Sequence, residues 1–209
     1  MGQGAQETLV LTKPKAKKKA APIPGYLIYE VVRGKPVYYK GYKDVLNGTK
    51  TFEEIMADSK LQSGLKARLP MMIGNQLLEK GYEVAAGEVG FNLPLKQKRA
   101  GDIAIFKKEN WAWDEHYSDK PADIIFEIDI KAHTEEQNEE MDYVLEKIED
   151  YLAFGVQKVI WIFTKNRKIT VATNQKPWLT FDWDTDVEVV EGVKFNLNQI
   201  VGVMPPKRG

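Results

Sequence analysis

The sequence predicts an α/β domain built on a mixed β-sheet flanked by helices. Three observations carry this: a strand–turn–strand opening, an amphipathic helix over residues 134–154, and a nearly continuous apolar run directly after it. The chain has 209 residues, 43% of them apolar, enough for one domain with a real core. We expect that domain to span residues 23–209.

Residues 1–22 read differently. Lys13, Lys15, Lys17, Lys18 and Lys19 stand against Glu7 alone, so this stretch is +4 and the rest of the chain −4, while the whole is neutral. A Lys/Ala/Pro run buries too little apolar surface to offset ordering entropy, which predicts a disordered basic arm. A solubilising tail is the favoured reading, and a salt-sensitive nucleic-acid tether the functional one.

From Tyr26 the elements follow in order. YLIYEVV and KPVYYKGY flank Arg33-Gly34, which predicts an antiparallel hairpin. Thr51 with Glu54 has capping-box spacing, and Leu61, Leu65, Leu69, Ile73 and Leu77 recur at helical spacing up to Gly81. Pro70 either kinks that helix or opens a second one. YEVAAGEVGFNL reads as one or two strands and DIAIF as another, with LKQKR as the turn between them.

The segment PADIIFEIDIK, residues 121–131, alternates so that Ile124, Phe126, Ile128 and Ile130 take one face and Glu127, Asp129 and Lys131 the other. Thr134 and Gln137 form a second capping box, and Met141, Val144, Leu145, Ile148, Tyr151 and Leu152 make the apolar stripe of the helix that ends at Phe154-Gly155. KVIWIFT then reads as a strand buried on both faces, so residues 123–164 form a β-α-β crossover. KITVAT, WLTFDW, VEVV and NLNQIV close the chain.

Many chemistries are excluded. With no cysteine there is no disulfide, thiolate nucleophile or Cys-based metal site. No apolar run approaches the ~20 residues of a membrane span, and no secretory signal is present, so a soluble cytoplasmic protein is expected. The chain lacks a phosphate-binding GxxxxGK[ST], a GxGxxG after a strand and a GxSxG, and His116 and His133 have no metal-ligand spacing.

Carboxylate chemistry remains, centred on Asp102, Glu127, Asp129 and Lys131. If strand 102–107 pairs antiparallel with 123–131 and Ile105 faces Phe126, then Asp102 faces Asp129. Two facing carboxylates repel unless Lys131 or a divalent cation neutralises them, and hard oxygen ligands suit Mg²⁺ or Mn²⁺. Such a centre can activate water against a phosphodiester. Trp111, Trp113 and Tyr117, in the loop between the two strands, pack on the sheet or stack on unpaired bases.

This arrangement resembles the PD-(D/E)xK nuclease superfamily and, within it, the Uma-type family of restriction endonucleases, from about Tyr26 to Ile200. YEVVRGKPVYY is similar to the opening hairpin, Arg99-Ala100-Gly101-Asp102-Ile103-Ala104-Ile105 to the Pro-Asp strand with Gly101 in place of proline, and PADIIFEI to the acidic strand. KIEDYLAFGVQKVIWI is similar to the helix-to-strand run through Lys147, Tyr151, Gly155, Val156 and Trp161, and EGVKFNLNQI to the closing segment.

The resemblance implies a restriction-endonuclease-like core, a Mg²⁺-dependent (or Mn²⁺-dependent) endonuclease activity on DNA, and metal ligands among Asp102, Glu127 and Asp129. Two assignments stand. In one, Asp129-Ile130-Lys131 is the acidic-x-Lys triplet; in the other, Glu127 is the ligand and Lys147 supplies the lysine. Thr134, Glu135 and Gln137 could also approach the site. A nuclease-like fold that binds DNA or a protein without cutting is the alternative, and a hydrolase of small phosphorylated molecules a third reading. A homodimer would suit cleavage of both strands.

Overall fold

The computed structural model describes residues 22–133 and 137–202. The proposed arm before Pro22 and the cap at Thr134 lie outside these residues, as does Glu135. In order come β1 (Ile28–Val32), β2 (Lys35–Tyr38), α1 (Tyr42–Leu46), α2 (Phe52–Met56), α3 (Lys60–Glu79), β3 (Tyr82–Leu93), β4 (Gln97–Lys107), β5 (Ile124–Ile128), α4 (Gln137–Phe154), β6 (Lys158–Phe163), β7 (Lys168–Thr173), β8 (Leu179–Asp182), β9 (Val187–Val190), β10 (Val193–Phe195) and α5 (Leu197–Val201).

The opening hairpin forms as expected. Val32 pairs with Lys35, and both turn residues, Arg33 and Gly34, sit at positive φ, as a type I′ turn requires. Thr51 and Glu54 close a reciprocal capping box on α2, and Ser59 with Gln62 does the same for α3. Pro70 lies inside one unbroken α3, where its missing N–H leaves the Lys66 carbonyl without its helical partner.

The main sheet runs β2-β1-β4-β5-β6-β7-β8, with β3 along the other edge of β4; β9 and β10 make a separate ribbon. The β5–β6 pair is parallel and joined by α4, which gives the expected crossover, and every other strand pair is antiparallel.

Alternation sorts the strand residues into two cores. Ile103, Ile105, Ile124, Phe126, Ile128, Ile160 and Ile162 pack with the α3 stripe of Leu65, Leu69, Ile73 and Leu77 and with β9, β10 and α5. Ala104, Phe106, Ile125, Val159 and Trp161 pack on the other face with Val144, Ile148 and Tyr151 of α4. The sheet is thus covered on both sides, and all five residues of β5 are buried.

Two expectations need correction. The turn between β3 and β4 is Pro94–Lys96, with Leu95 and Lys96 at positive φ, so Gln97, Lys98 and Arg99 belong to β4. The pairing of β4 with β5 is Ile105↔Ile124 and Ile103↔Phe126, two residues away from the expected register. Extended by one residue, this register sets Asp102 opposite Glu127, not Asp129.

Candidate active site

The site begins as a gap in the sheet. Along the edge of β4 away from β3, β1 pairs at Lys98 and β5 pairs over 103–105, leaving residues 99–102 without a strand partner there. Backbone groups in such a gap must be satisfied by side chains. The Ala100 N–H donates to Glu30 Oε1 at 3.4 Å, the Ala100 carbonyl accepts from Lys147 Nζ at 2.9 Å, and Asp102 Oδ2 accepts the Ile128 N–H at 2.7 Å. The missing ladder segment is replaced by ionisable groups.

Glu30 comes from β1, Arg99 and Asp102 from β4, Glu127 from β5, and Lys147, Asp150 and Tyr151 from α4. Lys147 Nζ lies 2.9 Å from Glu30 Oε1 and 3.1 Å from Glu127 Oε1. Arg99 forks between Glu30, at 2.8 Å, and Asp150. The Tyr143 and Tyr151 hydroxyls donate to Glu30 and Glu127, at 2.7 and 2.8 Å. Asp102, Glu127 and Lys147 are 4%, 3% and 1% exposed.

A second lysine arrives from the opposite layer. Lys66 of α3 lies 2.6 Å from Asp102 Oδ1 and 2.8 Å from Asp58 Oδ2. Lys131 Nζ lies 3.0 Å from Asp58 Oδ1 and also pairs with Glu88. Both lysine side chains stay partly exposed, so this is the open end of the cluster.

Burial pushes the Glu127 carboxyl up to about 8, with Lys147 opposing and Asp102 and Glu30 adding to the rise. Burial also raises Asp102, against the lowering effect of Lys66. For Lys147, burial favours the neutral form, but Glu127 and Glu30 outweigh it and hold the ammonium charged.

Asp129 is not part of this cluster. β5 ends at Ile128, and Asp129 turns away at φ 60°. Its Oδ1 accepts the Thr164 N–H at 2.7 Å, and its Oδ2 accepts from the Thr164 hydroxyl and from Gln62 Nε2 at 3.0 Å. The turn also breaks the expected alternation: Ile130 packs with the α4-side core, opposite Ile124, Phe126 and Ile128. Glu127, Asp129 and Lys131 therefore do not share a face. The side chain of Gln137 lies outside the described residues.

The Gly101 position explains the departure from proline. A Cβ there would meet Ile125 Cγ2 at 2.8 Å, closer than carbon atoms pack. Sequence reasoning missed Glu30, Lys66 and Arg99. The basic residue before the Asp102 strand was visible, but its buried fork to Glu30 and Asp150 depends on a hairpin nearly 70 residues away.

Among the described residues, no group of three or more His, Cys, Asp or Glu side chains is arranged to hold a metal ion. The facing Asp102–Glu127 pair still has the chemistry for a hard cation, because Mg²⁺ commonly takes one or two carboxylates and completes its shell with water. Burial raises the proton affinity of both carboxylates even with a lysine beside each.

The buried acidic pair and its paired lysines thus sit inside the mixed sheet, where β4 is left unpaired between β1 and β5. A crystal structure of "a putative nuclease belonging to DUF820" from Anabaena variabilis ATCC 29413 shares the fold, with a TM-score of 0.59 and 15% identity over 82% of this chain and 88% of that one. A cryo-electron-microscopy DrdV–DNA complex aligns at TM-score 0.35 and 12% identity, over 66% of this chain and 11% of that one. No curated protein matches the sequence. The chain belongs to the Uma2 family, described as "Putative restriction endonuclease", which matches residues 51–198. Among the described residues, no helix is long and apolar enough to cross a membrane.

Proposed function

We propose that the protein is a metal-dependent endonuclease that hydrolyses phosphodiester bonds in DNA in the cytoplasm. The observation that carries this reading is the β4–β5 register, which sets Asp102 against Glu127 with Lys147 Nζ 3.1 Å from the glutamate. Asp102 and Glu127 would hold Mg²⁺ or Mn²⁺. Such an ion, when bound, lowers the pKa of water and offsets charge on the phosphate.

The chain's own groups do the rest. Lys147, anchored by Glu30 and the Ala100 carbonyl, fixes Glu127 and counters the negative charge that develops beside it. Tyr151 holds the same carboxylate by its hydroxyl. Lys66, at the open end, is the cation placed to meet an entering phosphate, with Asp58 and Glu88 ready to orient it. Of the two lysine assignments, the contact with Glu127 favours Lys147 over Lys131. Cleavage of both strands would be served by a homodimer, which sedimentation of the full chain would reveal.

The test is nicking of plasmid DNA in Mg²⁺ or Mn²⁺. Asp102→Ala and Glu127→Gln should each reduce it by about 100-fold or more, since even second-shell changes around metals cost 10–100-fold. Wild-type activity in both variants overturns the proposal. One observation favours a second reading, a nuclease fold that binds DNA or protein without cutting: Lys66 already neutralises Asp102 at 2.6 Å. Absence of nicking together with no heat on Mn²⁺ titration would support it.

A further inference from the structure

A cavity of about 320 Å³ lies between β3 and the loop that joins β4 to β5. Trp111, Phe106 and Tyr117 supply its aromatic walls, and Asn110, His116 and Ser118 its polar ones. The Trp111 indole N–H is buried and has no hydrogen-bond partner, a cost that a ligand acceptor would remove. Trp113 packs edge-on against Trp111 at 5.3 Å and is 87% exposed; Tyr117 is 51% exposed. Indole and phenol rings lining a cavity with an orphan donor fit a flat, aromatic ligand that carries acceptors.

The backbone keeps this cavity open on the site's side. A Cβ at Gly90 would lie 2.7 Å from the Tyr117 ring, so glycine lets that ring rest against β3. Val89, which lines the cavity, pairs with Gly101, the residue before Asp102. Tyr117 also lines a shallow pocket with Glu30 and Arg99. The cavity wall on β3 and the Asp102 backbone on β4 are therefore on neighbouring strands, roughly 5 Å apart, with Glu127 one strand further on β5. Lys98, whose ammonium lies 5.4 Å from the Tyr117 ring centre, and Lys120 are cations beside it, with Asp114 and Asp119 as the acids.

We propose that this cavity receives an unpaired nucleobase of single-stranded DNA, stacked against Tyr117 and accepting a hydrogen bond from the Trp111 indole N–H at its edge. The inference rests on the nuclease reading and deepens it: the preferred substrate has an unpaired base next to the phosphate presented to Asp102 and Glu127. Stacking binds any base, so the cavity confers a preference for unpaired strands and not for a sequence.

The experiment measures binding in EDTA, where no cutting occurs, by quenching of tryptophan fluorescence in the full chain. Three probes are compared: an oligothymidylate, an abasic strand of the same length, and a fully paired duplex. The oligothymidylate should bind most tightly; Tyr117→Ala should weaken it roughly 5- to 150-fold, the loss expected for a base–aromatic stack, and Trp111→Phe should weaken it by removing the indole donor. The abasic strand should bind weakly and equally to all three proteins. Anisotropy of a labelled strand gives the same affinities without relying on Trp111. Equal binding of thymidylate, abasic strand and duplex, or unchanged affinity in both variants with an unchanged melting temperature, overturns the proposal. Because nothing is cut, that failure is separate from a failure of the nicking assay.

Discussion

At the scale of single residues, Glu127 has an unusual role. Its carboxyl titrates near 8 in the fold and near its ordinary 4.5 when unfolded, so folding takes up a proton between those values. The corresponding stabilisation is complete below about pH 4.5 and is lost as the pH rises through 8. Thermal unfolding should show the wild type losing stability relative to Glu127→Gln between about pH 5 and 8, by up to about 1.4 kcal/mol per pH unit. Arg99 makes a different prediction. Its side chain is wholly buried between Glu30 and Asp150, so Arg99→Ala strands buried acid groups and should cost about 3–5 kcal/mol in urea titration. Arg99→Lys should recover little of this, because a single ammonium cannot span both partners.

At the scale of elements, the β4–β5 pair shows what a sequence can and cannot specify. Alternation fixes the parity of a register, because a slip of one residue would turn every side chain to the wrong face. A slip of two preserves both faces, so Ile105 opposite Phe126 and Ile105 opposite Ile124 satisfy the hydrophobic pattern equally. Backbone geometry decides between them: Asp129 leaves the strand at positive φ and bonds to Thr164 and Gln62, which no periodicity encodes. Hence Asp102, Glu127 and Lys147 were legible as candidates, while their pairing was not. Asp129→Asn, which keeps the shape and tolerates the left-handed backbone, should leave nicking at the wild-type rate. A loss like that of Asp102→Ala would restore the triplet at 129–131. Gly101→Ala should destabilise the protein by about 1–3 kcal/mol through overpacking on Ile125. In a double-mutant cycle with Ile125→Ala, the combined loss should be smaller than the two single losses together.

At the scale of the whole molecule, the mixed sheet, the crossover and the opening hairpin were readable because each rests on local periodicity, a cap or a turn. The gap in the β4 edge was not, since it depends on where β1 stops and β5 starts. If the acidic pair takes a cation, Mn²⁺ should raise the melting temperature of the wild type and not of Asp102→Ala. At 100 times the dissociation constant the gain is about 2.7 kcal/mol. Lys66 hangs from the helix on one side of the sheet and Lys147 from the helix on the other. The acidic pair is thus gripped like a workpiece between two jaws mounted on separate frames. Small repacking in either layer, far from the carboxylates and harmless to the fold, would change their spacing and so detune the chemistry before any loss of structure could be measured.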